Sequence, residues 1–176
     1  MKNCDFNPGC LTGRFQPFHL GHLELFLHVV KSHRQIYVAI TNPTPESRSF
    51  ESTNPNRHLS ESNPFSFKDR VAFIESVLTD NKIDRERVVI VPFSLTEPSS
   101  WYLEVPPETL QYVRVFSSWE EHKVEVLKQK YMVEILPTNT SNPPIRATVI
   151  REAIKSNSPW THLVPPGVAS LIYSSK

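Results

Sequence analysis

Thr12-Gly13-Arg14-Phe15-Gln16-Pro17-Phe18-His19-Leu20-Gly21-His22 is the stretch from which the rest of this chain can be read. Apolar Cys10 and Leu11 lead into it, and an amphipathic run through Leu23, Phe26, Leu27 and Val30 leaves it. That pattern is a strand, a tight turn and a helix start. It puts His19 and His22 at a helix N-terminus, where the first backbone N–H groups have no partner within the helix and the macrodipole is positive. Such a terminus attracts phosphate before any side chain acts. The two imidazoles add donors, Arg14 adds a guanidinium shaped for bidentate phosphate contact, and Gly21 removes a side chain that would crowd the ligand. Alone, a His-x-Gly-His string is a weak signal, and two surface histidines around a glycine are its default reading.

Outward from this turn, the first helix should end near His33, and residues 35–40 form a short apolar run rich in β-formers. Strand, helix, strand with a crossover of this length implies a right-handed parallel pair, and so a doubly wound sheet. Residues 41–66 then lose apolar periodicity in a polar loop longer than α/β connections usually are, either functional or an idle surface insertion. Ser66 and Asp69 have the spacing of a capping box and open a helix through Val71, Phe73, Ile74, Val77 and Leu78. Further strands are expected at 87–93, 110–116 and 132–136, with an amphipathic helix at 119–130. Asn142-Pro143-Pro144 stops the chain, and a helix opens across residues 145–151. There Thr148 and Arg151, three apart, can bring a hydroxyl, a guanidinium and unpaired N–H groups to one phosphate.

The chain has 176 residues, a length that one domain with an adequate core accounts for. Its net charge of +1 lacks the basic footprint of a general nucleic-acid binder, so no nucleic-acid partner is expected. Cys4 and Cys10 have no metal-site spacing and cannot build a disulfide framework, which fits a reducing cytoplasm. No apolar stretch approaches the roughly 20 residues of a membrane span, so no membrane partner is expected either.

Gly13 to His22 resembles the signature of the nucleotidylyltransferase superfamily, and in particular the nicotinamide-mononucleotide adenylyltransferases of archaeal type. Ile145-Arg146-Ala147-Thr148-Val149-Ile150-Arg151 resembles the superfamily's second signature, I-S-x-T-x-x-R, with Arg146 in place of the serine. Asn63-Pro64-Phe65-Ser66 matches a family segment that lies near the nucleotide, and Arg70 matches a basic position that points to bound phosphate; a solvated helix charge is the competing reading of Arg70. Trp101 falls where a family tryptophan stacks on the nicotinamide ring, although a tryptophan in a domain of this size is also commonly core. Ser158 to Pro165 is similar to the archaeal enzymes again, whereas Ser117-Ser118-Trp119-Glu120 departs from a family turn of Ser-Gly-Asn-Pro type.

The resemblance implies a single nucleotidylyltransferase domain over residues 1–176: α/β, with a Rossmann-like parallel sheet of five or six strands and helices on both faces. It implies transfer of the adenylyl group of ATP to nicotinamide mononucleotide, forming NAD and pyrophosphate. Catalysis would fall to His19, His22, Arg14, Thr148 and Arg151. Substrate binding would fall to Gly13, Phe15, Gln16, Pro17, Phe18, Gly21, Asn63, Pro64, Phe65, Arg70, Trp101 and Arg146. Mg2+ would be held mainly through ATP phosphates, with no protein metal site, and the subunits would form a homo-oligomer as the archaeal enzymes do. Two alternatives stand beside this: a nucleotidylyltransferase using ATP or CTP on a different phosphate ester, and a catalytically weakened nucleotide-binding protein.

Overall fold

Five strands, β1 (Gly9–Gly13), β2 (Ile36–Thr41), β3 (Val88–Phe93), β4 (Leu110–Val113) and β5 (Met132–Ile135), form one all-parallel sheet in the order β3-β2-β1-β4-β5. The computed structural model describes residues 7–138 and 143–175, so Cys4 and Asn142 lie outside the described residues. The helices are α1 (Leu20–Ser32), α2 (Phe67–Asp80), the single turn α3 (Trp101–Glu104), α4 (Ser118–Leu127), α5 (Ala147–Lys155) and α6 (Pro166–Ser174). Among the described residues no helix is long and apolar enough to cross a membrane.

Period-two alternation along the strands divides the interior into two cores. Leu11, Val38 and Ile40 face the larger one, with Phe26 and Val29 of α1, Phe73, Ile74 and Val77 of α2, Ile150 of α5 and Val168 and Ile172 of α6. Cys10, Ala39, Val91, Phe93 and Val113 face the smaller one, with Trp101 of α3 and Val124 and Leu127 of α4. Both sheet faces are therefore covered by helices, as buried parallel strands require.

Local chemistry sets the element ends. Ser66 accepts a hydrogen bond from the Asp69 N–H at 3.1 Å while the Asp69 carboxylate accepts from the Ser66 N–H at 2.8 Å, so the expected capping box opens α2. At Gly9 a Cβ would lie 2.5 Å from the His33 ring and 2.6 Å from Val29, so α1 seats against bare backbone there. The fourth strand stops at Val113, short of the expected 116, because the chain turns away and Ser117 caps α4 by accepting from the Trp119 N–H. The sheet order switches direction between β1 and β4, which puts the ligand crevice outside their carboxyl ends.

Candidate active site

The turn leaving β1 enters that crevice. Phe15 takes a φ of 53°, a left-handed conformation costing about 1–3 kcal/mol for a bulky side chain. This sets its ring edge-on to His22 at 5.0 Å and beside Phe18 at 5.5 Å. The Gln16 amide holds both backbone polar groups of Phe65, donating to its carbonyl at 2.7 Å and accepting from its N–H at 2.9 Å, so the turn is pinned to the end of the long loop. His19 occupies the N-cap of α1, and its ring stacks on His22 with 3.6 Å between centroids. A Cβ at position 21 would lie 3.2 Å from the His19 ring, so Gly21 leaves that ring its place.

Both imidazoles are neutral at physiological pH. Burial pushes His19 down to about 4, and burial reinforced by His19, Lys123 and Arg14 pushes His22 well below its usual value. The backbone N–H of His19 donates to Nδ1 of His22 at 3.3 Å, which assigns the His22 proton to Nε2 and makes that nitrogen the donor. Burial, with Arg57 and Arg151 nearby, makes the Arg14 cation costly, a strain that an incoming polyanion relieves.

Across the crevice stands the N-terminus of α5, where Arg146, Ala147 and Thr148 line the wall. The third wall comes from the long loop and α4. Arg57 lays its guanidinium over the Trp119 ring, 3.7 Å from the centroid, and pairs through Nε with Glu51 at 3.4 Å. The Trp119 indole N–H donates to the same Glu51 carboxylate at 2.6 Å. Lys123, one turn further along α4, donates to the Thr12 carbonyl at the end of β1. Arg14 donates from one terminal nitrogen to the carbonyls of Arg57 and Ser62 and to Asn63 Oδ1. The cleft so enclosed measures about 560 Å³, the scale of a small-molecule site.

Two helix N-termini, a stacked histidine pair and a bank of cations in one crevice suit a polyphosphate. The model of the cytidylyltransferase-like family matches residues 10–153, which span the five strands and α1 to α5 to within two residues. The chain belongs to the cytidylyltransferase-like family. A phosphonoformate cytidylyltransferase from Streptomyces viridochromogenes is 35% identical over 93% of this chain and 89% of its own length. A nicotinamide-nucleotide adenylyltransferase from Saccharolobus solfataricus is 29% identical over 96% of this chain and 91% of its own. The crystal structure of a bifunctional NMN adenylyltransferase/ADP ribose pyrophosphatase from Francisella tularensis shares the fold, with a TM-score of 0.70 at 18% identity over 95% of this chain. The chain spans about half of that protein, 49% of its length.

Of the residues expected at the site of this family member, the fold brings Gly13, Arg14, Phe15, Gln16, His19, Gly21, His22, Arg146 and Thr148 to the cleft. The others lie elsewhere. Trp101 is fully buried in the smaller core between Phe93 and Tyr131, its indole N–H donating to the Ser94 carbonyl at 2.6 Å, so no face is open to a substrate ring. Arg70 does not point to the phosphate region: its guanidinium is buried and donates to the carbonyls of Ser66, Arg14, Thr41, Asn42 and Pro43, tying the first turn to the end of β2. Arg151 sits behind the cleft wall, donating to the Gln16 carbonyl at 2.8 Å and the Thr148 hydroxyl at 3.2 Å, where it positions Thr148 and the turn. Asn63 braces the loop through Arg57 and Leu59, Phe65 packs on Phe73, and Phe18 is core; Pro17 and Pro64 likewise do not line the cleft.

Among the lining residues outside the expected set are Arg57, Trp119 and Lys123. The signal for Lys123 was present in the sequence. It shares the inward stripe of α4 with Trp119, Val124 and Leu127, a cation where the helix otherwise presents apolar side chains.

Proposed function

We propose that the protein transfers the nucleotidylyl group of a nucleoside triphosphate to a phosphate or phosphonate oxygen of a compact acceptor, releasing pyrophosphate. The observation that carries this reading is the convergence of the α1 and α5 N-termini, with His19, His22 and Thr148, on one cleft. The acceptor oxygen attacks the α-phosphorus in line, a new P–O bond forms, and the bond to the β-phosphate breaks. Positioning and charge stabilisation supply most of the acceleration in such transfers. His22 Nε2–H and the first N–H groups of α1 face the oxygens on which charge grows, and Thr148 with the α5 terminus faces the departing pyrophosphate. Burial pushes the Cys10 thiol up to about 11 and keeps it protonated, so this thiol is not a nucleophile for the reaction.

A magnesium ion would take its ligands chiefly from the triphosphate and water, because among the described residues no three His, Cys, Asp or Glu side chains converge to hold one. It would neutralise negative charge on the triphosphate. The compact acceptor is supported by the cationic wall and by the similarity to a phosphonoformate cytidylyltransferase. A second reading, ATP with nicotinamide mononucleotide giving NAD, is favoured by the similarity to the archaeal nicotinamide-nucleotide adenylyltransferases along nearly the whole chain. Pyrophosphate release from ATP and from CTP, each with phosphonoformate and with nicotinamide mononucleotide, separates the two. Turnover confined to nicotinamide mononucleotide removes the compact acceptor, and no release with any pair removes nucleotidylyl transfer.

A further inference from the structure

We propose that Arg57 and Lys123, backed by Trp119, form a second anion subsite that binds a carboxylate on the acceptor, beside the site that takes its phosphonate or phosphate. This rests on the nucleotidylyl-transfer reading and narrows its substrate class to compact acids bearing two different anionic groups.

Lys123 is 7% exposed yet lines the cleft. A buried ammonium is stable only when paired, and its single hydrogen bond goes to the neutral Thr12 carbonyl, with no carboxylate at ion-pair distance among the described residues. Two of its three donors are left for a ligand. Arg57 is 5% exposed, and it shares its one carboxylate partner, Glu51, with the Trp119 indole. The nearest other acid, Glu120, accepts from the Ser117 hydroxyl. Five cations, Arg14, Arg57, Arg114, Lys123 and Arg146, line the cleft with only two carboxylates, Glu24 and Glu120; even with Glu51 paired to Arg57, positive charge is in excess before any ligand enters. Burial and the Arg57 charge push Lys123 down to about 8, and a bound carboxylate opposes that shift.

Geometry gives the subsite its selectivity. The Arg57 guanidinium covers one face of the Trp119 ring, 3.7 Å from its centroid, and the residue is only 8% exposed, so this wall presents charge and little open aromatic surface. Thr12, which anchors Lys123, immediately precedes the turn that carries His19 and His22. A carboxylate on Lys123 thus lies in the same cleft as the reacting phosphorus, as a short acid would place it.

Phosphonoformate and methylphosphonate, which differ by a carboxylate in place of a methyl, are the probes, titrated calorimetrically into the wild-type protein, Lys123→Met and Arg57→Gln, with circular dichroism to check the fold. Wild type should bind phosphonoformate about tenfold or more tighter than methylphosphonate, the worth of one charge-assisted pair, and Lys123→Met should reduce that ratio to about threefold or less. Equal affinity of the two ligands for wild type overturns the subsite even if neither variant folds. A full ratio retained in folded Lys123→Met also overturns it, by placing the preference at the triphosphate end of the cleft. Calorimetry needs no turnover, so selective binding without pyrophosphate release from any acceptor would leave the subsite standing and sink the proposed reaction.

Discussion

Arg70→Met removes a guanidinium that holds five backbone carbonyls, at 3.2 Å for Ser66, 3.0 Å for Arg14, 2.7 Å for Thr41, 2.9 Å for Asn42 and 3.3 Å for Pro43. A hydrogen bond from a charged donor is worth about 1.5–3 kcal/mol net, so five would sum to roughly 8–15 kcal/mol, as much as a whole domain's stability. That sum overshoots, because the desolvated cation disappears with its bonds and carbonyls near the surface recruit water. Breaking a buried charged network typically costs about 3–5 kcal/mol, and that is the loss expected here. For a chain of this size it corresponds to a fall in Tm of roughly 6–20 °C. Urea denaturation of wild type and variant measures the difference, and nucleotide KM is read on the folded fraction. A loss below about 1 kcal/mol together with a nucleotide KM raised more than about tenfold would refute the reasoning and make Arg70 a phosphate ligand.

His22→Ala should lower kcat by about 100-fold with the fold intact, the effect of losing one preorganised donor, and near-normal turnover would make the stacked histidines structural. Trp101→Ala should cost about 3–5 kcal/mol of stability as a core truncation, while the kcat/KM of the folded protein stays within about twofold for every acceptor; a selective rise in one acceptor's KM would show that the indole reaches substrate. Because His19 is held down to about 4 while its unfolded value is near 6.5, the unfolded chain binds more protons between those values. Stability should fall as pH drops through that window, by up to about 1.4 kcal/mol per unit, and His19→Gln should flatten the profile. Lys123 loses its charge above about 8 in the unliganded protein. Phosphonoformate affinity should therefore decline by up to about tenfold per pH unit above that point, and a flat profile from pH 7 to 9.5 would separate Lys123 from the ligand.

The amino-acid sequence by itself determined what depends on neighbours a few residues apart. The strand-turn-helix at residues 9–32, the histidines three apart at its helix start, the Ser66–Asp69 capping box and the helix opening at Ala147 all follow from local spacing, and all are in the structure. Tertiary packing decided which charged and aromatic side chains reach the ligand. On a helix surface an arginine carries the same local signal whether it meets water, a phosphate or five carbonyls, so the sequence leaves Arg70 between a phosphate ligand and a solvated charge, and only the closure of the ends of β1 and β2 around it assigns it to the carbonyls. Trp101 and Trp119 likewise differ only in what covers them: the first is enclosed by Phe93 and Tyr131, the second faces the cleft beneath Arg57. Lys123 and the Thr12 carbonyl stand 111 residues apart, and only the pairing of β1 with β4 carries α4 to the mouth of the first turn. Burial, and with it the energetic cost that makes a cation seek an anion, belongs to the packed chain and not to any window of its sequence.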